Sequence, residues 1–337
     1  MSSLTAERLV KLAYKYPNLH NNWYIFASTA LTVVNQPQEI GKVFHFALRQ
    51  QLLDSSSLSE TSLLNNSYLL KLAEDSIASA AKYSEFSNLG ENLPDISISY
   101  SNHEKLPIPY KCTKIIDIQA TQSVIAEKTR EAILKIAPIS GLPKSINSLT
   151  ALKSCTPNRL KPDSKFKRDT RVVTSKVNSS SYTQENMTGI SSEVASLPTF
   201  NTIEGPVSIK SINSKAILEN TVKGSDFWCM IYGKIRNRVR HQLYNAYPDL
   251  WQYAYNDVYG SILSYTGVLD AKETSFCVIC SLIPQDVNPT LKGHLKGALN
   301  VGATKEEIEQ IRLLTFDICD WNGNIVWEGG QGSVAKL

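Results

Sequence analysis

The sequence contains no apolar run of the ~20 residues needed to cross a bilayer. No secretory leader is expected from the first residues, and Glu7 together with an early stretch of tyrosines broken by Pro17 does not read as a presequence. Charge of one sign is also missing. Lys and Arg total 35 against 31 Asp and Glu, a formal charge of +4 over 337 residues, too small a bias to point to a nucleic-acid partner. The expectation is a soluble protein with no membrane span. No glycine-rich phosphate loop stands between a strand and a helix, and no second CxxC or His-x-His cluster accompanies Cys277 and Cys280, so no cofactor and no metal is expected. Cysteines number 6, scattered and without a secretory context, which predicts reduced, mostly buried thiols instead of a disulfide framework. Alternating strand patterns are scarce.

What remains is helical periodicity. Leu4 to Tyr16 reads as a short amphipathic helix closed by Pro17, Trp23 to Val34 as an apolar helix, and Pro37 opens a helix carrying Ile40, Val43, Phe44 and Ala47. Tyr68 to Tyr83 follows. Ile115 to Ile139 reads as one long helix or two joined ones, and Gly141-Leu142-Pro143-Lys144 starts another. Residues 156–222 then change character: Ser, Thr, Asn and Lys predominate around the basic run Lys161, Lys165, Lys167, Arg168 and Arg171. With little apolar surface to offset ordering, this is expected to be a disordered basic insert. Order resumes near Phe227 with the stripe Trp228, Ile231, Ile235, Val239 and Leu243.

Leu269 to Asp320 carries the most local information. Asp270 with Glu273 and Thr304 with Glu307 have the capping-box form, each the start of a helix. Between them Leu291, Leu295, Ala298 and Leu299 share one helical face, and Gly302 stands where a left-handed C-cap residue is needed. Ile308, Ile311, Leu314 and Ile318 stripe the last helix. Ala30-Leu31-x-Val33 followed by Glu39-Ile40 echoes Ala298-Leu299-x-Val301 followed by Glu307-Ile308, which suggests two related helical halves forming an internal pseudo-dimer.

Leu269-Asp270-Ala271-Lys272, Gly293-His294 and Gly297-Ala298-Leu299-Asn300, running into Gly302-Ala303-Thr304, resemble the carboxymuconolactone decarboxylase and AhpD-like superfamily. Thr129 to Lys144 is similar to the same family, less specifically. The resemblance implies an all-α, AhpD-like fold that self-associates, a homo-oligomer. It divides the chain into an N-terminal helical half (1–155), the insert (156–222), a decarboxylase-like helical domain (223–328) and a flexible tail (329–337). In thiol-active members a CxxC pair precedes the histidine, and here Val287 and Thr290 occupy those places. Ser275 stands where the family places an acid. His294 is thus the candidate general acid or base, with Glu131 as a substitute carboxylate and Tyr232, Arg236, Tyr259 and Ser275 lining the pocket. The implied reaction is proton transfer on a small organic acid or lactone. A non-catalytic matrix or scaffold protein and a thiol-dependent antioxidant using Cys277 and Cys280 are the alternatives. Those two thiols lie among Phe276, Val278, Ile279 and Leu282, where burial opposes thiolate formation.

The chain ends in Ala335-Lys336-Leu337, close to the Ser-Lys-Leu address read by the peroxisomal import receptor. The expected location is the peroxisomal matrix. Gly329, Gly330, Gly332 and Ser333 precede the tripeptide and are expected to form a flexible arm.

Overall fold

A run such as WYIFASTALTV has no polar face, so a helix made from it must be surrounded. In the computed structural model, which describes residues 3–50, 67–96, 117–162, 167–169, 171, 212–323 and 327–337, all of Trp23 to Val33 is buried. The described helices are α1 (Ala6–Tyr14), α2 (Trp23–Val33), α3 (Pro37–Gln50), α4 (Ser67–Asn88), α5 (Ile118–Lys135), α6 (Ala137–Ser140) and α7 (Leu142–Ser154). Further along the chain come α8 (Ser214–Tyr232), which begins within the insert, α9 (Arg236–Ala246), α10 (Pro248–Gln252), α11 (Ala271–Leu282), α12 (Asn288–Asn300) and α13 (Lys305–Asn322). No strand occurs among the described residues. The fold is all-α, as expected.

The chain divides into two units. The first comprises Met1–Lys161, Cys229–Val239 and Val268–Leu337, the second Pro162–Trp228 and Arg240–Gly267. In the first unit α2 is the axis, packed by α1, α3, α5, α7, α11 and α13. Its two threonine hydroxyls bond back within the helix, Thr29 Oγ1 to Ile25 O and Thr32 Oγ1 to Ser28 O, both at 2.9 Å, so these two polar groups are buried with partners, while the buried Ser28 hydroxyl has none among the described residues. Of the two readings of Ile115 to Ile139, the described part follows the two joined helices: α5 ends at Lys135, and Pro138, which lacks a backbone donor, sits in the first turn of α6.

Local signals decide the helix ends. Both capping boxes form, at Asp270 with Glu273 and at Thr304 with Glu307. Lys272 Nζ reaches Glu307 Oε1 at 2.9 Å, tying the two together. Gly302 adopts φ +90°, and the α12–α13 turn closes with Ala303 N–H donating to Ala298 O at 3.0 Å. The α2–α3 turn uses the same closure, Gln36 N–H to Leu31 O at 2.9 Å, with Asn35 at φ +59°.

In the second unit Trp228 meets Trp251 and Tyr259 edge-on at 5.1 and 4.8 Å. The pattern from Pro248 onward predicts a helix; the structure winds Tyr253–Leu263 as a π-helix, a wide coil seldom seen at this length. Part of the basic run anchors it. Arg168 Nε donates to Ser261 O at 3.0 Å, and Arg171 bonds Asn256 O at 2.9 Å and pairs with Asp257 at 2.7 Å. At these positions the cations bond backbone carbonyls and an aspartate, where a disordered insert was expected. Order also resumes at Ser214, before Phe227, with Asn213 Oδ1 accepting from Ala216 N at 3.1 Å. Residues 172–211, most of the insert, lie outside the described residues.

The π-helix lies against α8 with no room between them. A Cβ added to Gly224 would stand 2.6 Å from Gly260 Cα and 2.8 Å from its nitrogen, and backbone yields little. Gly224→Ala is expected to cost about 1–3 kcal/mol in denaturant unfolding, whereas Gly332→Ala, with nothing near its Cβ, leaves the midpoint unchanged. Equal midpoints for the two variants contradict this packing.

Candidate functional site

His294 sits on α12 with Leu291, Leu295 and Ala298, the buried face of that helix. Its partner is delivered by the last turn of α8. Gly297 has no side chain, and a Cβ there would fall 2.8 Å from Ile231 Cγ2 and 3.2 Å from Ile231 O. Three residues on, Asn300 Nδ2 donates to the same carbonyl at 2.8 Å. This clamp fixes the end of α8 and places the Tyr232 hydroxyl 3.4 Å from His294 Nε2, with the rings 5.9 Å apart at 64°. Gly293 has a lesser part, since a Cβ there would meet Tyr232 Cε1 at an ordinary 4.0 Å.

Burial lowers the His294 pKa from 6.5 to about 4, because a charged imidazole loses its hydration there. The ring is therefore neutral at physiological pH. A neutral imidazole has one ring nitrogen free to accept a proton, and the phenol beside it can donate or accept.

The other expected site residues fall in several places. Glu131 is buried on α5, its carboxylate 3.9 Å from Lys135 Nζ one turn on, and Lys135 is itself fully buried. The carboxylate therefore serves as counter-ion to a buried ammonium. Ser275 is buried on α11, and its hydroxyl has no hydrogen-bond partner among the described residues. Arg236 is exposed and donates to Gly233 O at 3.3 Å. Tyr259 belongs to the second unit and packs on Phe227 and Trp228.

Cys277 and Cys280 are fully buried. Burial is the main cause that raises both thiols, with the charge of a neighbouring thiolate adding at Cys277, and Cys280 reaches about 12. Thr315 Oγ1 donates to Cys280 Sγ at 3.3 Å. Neither thiol has the exposure or the thiolate character that redox exchange needs.

A recess of about 340 Å³ lies elsewhere in the first unit, among α3, α4 and α7, lined by Glu39, Lys42, Ala80, Ala81, Ala151 and Cys155. Its charges answer each other: Lys42 Nζ is 2.9 and 3.0 Å from the two Glu39 oxygens. The remaining wall is mostly small side chains.

The tail is held where an arm was expected. Gly330 turns the chain at φ +68°, and a Cβ on Gly329 would meet Ser333 Cβ at 2.6 Å, so the glycines build a tight turn. Trp327 packs edge-on against Phe316 at 5.2 Å and donates to Ile283 O at 2.8 Å. Arg312, on the buried side of α13, and Asn288, at the start of α12, then bond the backbone of Val334 and Ala335. Sequence reasoning missed both residues. A visible signal existed for one of them, a cation set inside the apolar stripe Ile308, Ile311, Leu314.

Residues 249–323 match the carboxymuconolactone decarboxylase family. Over 337 residues the sequence is 33% identical to Peroxisomal protein 2 of Saccharomyces cerevisiae, covering 99% of this chain and 99% of that one. The chain belongs to the fungal peroxisomal protein 2 family. Within this family Peroxisomal protein 2 of Schizosaccharomyces pombe is 30% identical over 194 residues, 58% of this chain and 70% of that one. No solved structure matches the chain. The family is peroxisomal, and so is this member, which carries its decarboxylase-like segment on an all-α, AhpD-like fold.

The buried histidines make stability depend on pH. The unfolded chain protonates His294 near 6.5 and the folded chain near 4, so between these values the unfolded state binds more protons. The full stability is present above pH 6.5 and falls as pH drops toward 4, with His294 accounting for about 3 kcal/mol. His45, lowered to about 3 by burial, acts in the same direction. Urea midpoints measured from pH 7 to pH 4 are expected to decline, and His294→Gln is expected to flatten the profile; a variant as steep as the parent contradicts the assignment.

Proposed function

We propose that this chain is a peroxisomal matrix protein that transfers a proton on a small organic acid or lactone, with His294 as the base or acid and Tyr232 as its partner. The observation that carries this reading is the Tyr232 hydroxyl 3.4 Å from the Nε2 of a buried, neutral imidazole. Hydrogen bonds of catalytic pairs are commonly long before substrate binds. His294 accepts a proton from the carbon or hydroxyl of the substrate, and the phenol holds the oxygen on which charge develops. The match of residues 249–323 supports the substrate class, since the carboxymuconolactone decarboxylase family is named for decarboxylation of a carboxylated lactone.

The test is exchange in D2O, followed by NMR, with a panel of small carboxylic acids and lactones. The parent chain is expected to incorporate deuterium or release CO2 from at least one of them, with a loss on the order of 100-fold in His294→Gln and a smaller loss in Tyr232→Phe. No turnover by the parent, or equal turnover by His294→Gln, sinks the proposal.

A non-catalytic matrix protein is the second reading. It is favoured by Ser275, whose buried hydroxyl stands without a partner among the described residues at the family's acid position, and by Val287 and Thr290 at the family's thiol positions. The burial of Cys277 and Cys280 opposes thiol chemistry. In the native protein exposed Cys229 is expected to alkylate readily, and Cys277 and Cys280 only on unfolding, as read by peptide mass spectrometry. Rapid native labelling of the pair would restore the antioxidant reading.

The proposal extends to three finer features. Ala335-Lys336-Leu337 serves as the address for the import receptor, with Lys336 exposed and Leu337 47% exposed. The chain forms a homo-oligomer, a reading supported by the exposed Tyr244, Tyr247, Leu250 and Tyr253 of the second unit. The two helical halves are related, as the shared closure of the α2–α3 and α12–α13 turns supports.

A further inference from the structure

We infer that Asn288 and Arg312 form a docking groove for this chain's own C-terminus, so that the import receptor must first pull the tail from it. The inference rests on the targeting role proposed above for the last three residues. It begins from two donors and an acceptor with unusual employment. Arg312 is 5% exposed on α13, in a stripe otherwise made of Ile308, Ile311, Leu314 and Thr315. Its guanidinium donates through Nε to Ala335 O at 3.1 Å and through a terminal nitrogen to Val334 O at 3.3 Å, and the other terminal nitrogen pairs with Glu309. Asn288 Oδ1 accepts from Ala335 N at 2.6 Å. Both backbone groups of Ala335 are therefore in use.

Val334 adds the apolar part. It is 1% exposed, a side chain taken wholly out of water beside the bonded backbone. Beyond Ala335 the grip ends, and Lys336 and Leu337 are exposed. The groove thus divides the address: its cation and terminal leucine are presented, while its small residue is held.

A receptor that takes a small side chain, a cation and a leucine carboxylate into one pocket needs the three residues together and in extended form. The docked tail offers two. Binding then requires opening of the Val334–Ala335 segment, and the apparent affinity is reduced by the fraction of molecules in which it is open. The groove is built from the start of α12 and the middle of α13, elements that come together only in the folded domain. Folding therefore lowers the availability of the signal, and a chain not yet folded presents it in full.

The experiment measures binding of the recombinant peptide-binding domain of a yeast peroxisomal import receptor by fluorescence anisotropy or calorimetry. It compares the full-length chain, the chains Asn288→Ala and Arg312→Lys, and a free peptide of the last twelve residues. The peptide is expected to bind about tenfold more tightly than the full-length chain, with both variants moving toward the peptide value. Arg312→Lys keeps the charge but loses the forked geometry, and Asn288→Ala removes one acceptor at a helix start, so neither is expected to unfold the domain; circular dichroism checks this. Equal affinities of peptide and full-length chain overturn the docking groove. No binding by the free peptide overturns the targeting role instead, so the two failures are told apart.

Discussion

Everything in the first unit depends on hiding α2. Its eleven residues offer no side that water can wet, so the helix is stable only when others cover it completely, and six of them do. Burial of that much apolar surface is the principal favourable term for a domain of this kind. The same demand brings α11 and α13 of the decarboxylase-like segment against the N-terminal helices. Phe26 of α2 meets Phe276 of α11 edge-on at 5.6 Å. The segment that matches the family is thus not separable from the first half of the chain.

Around this axis the polar groups are handled unequally. The threonine hydroxyls of α2 bond to carbonyls one turn back, and Lys135 is buried beside Glu131. His294 has a phenol instead of a charge for its neighbour, and burial keeps it neutral. The thiols that match a redox motif by spacing lie in the driest part of the domain. A short motif carries chemistry only when its surroundings permit the ionised form.

Glycine serves three different ends here. Gly302 supplies a left-handed turn, Gly297 and Gly224 allow helices to touch, and Gly329 with Gly330 folds the tail back. In each case the missing Cβ is what matters, but the sequence context of Gly297 differs little from that of Gly293, four residues earlier. Only the position of Ile231 distinguishes them.

Neighbours in the chain were enough to decide the two capping boxes, the turn at Gly302, the buried run of α2 and the inward face of α12 that carries His294. Each rests on contacts within about one helical turn, where residue type and spacing suffice. Tertiary structure alone decided which groups meet across the chain. Tyr232 reaches His294 from 62 residues away, because Gly297 and Asn300 clamp the end of α8. Glu131 became a counter-ion because Lys135 was buried with it. Arg168 and Arg171 left the basic run to hold a π-helix, and the glycine-rich tail became a docked turn because Arg312 and Asn288 were in place to receive it. Such pairings are set by how helices pack, and packing depends on the shapes of side chains that are distant in sequence.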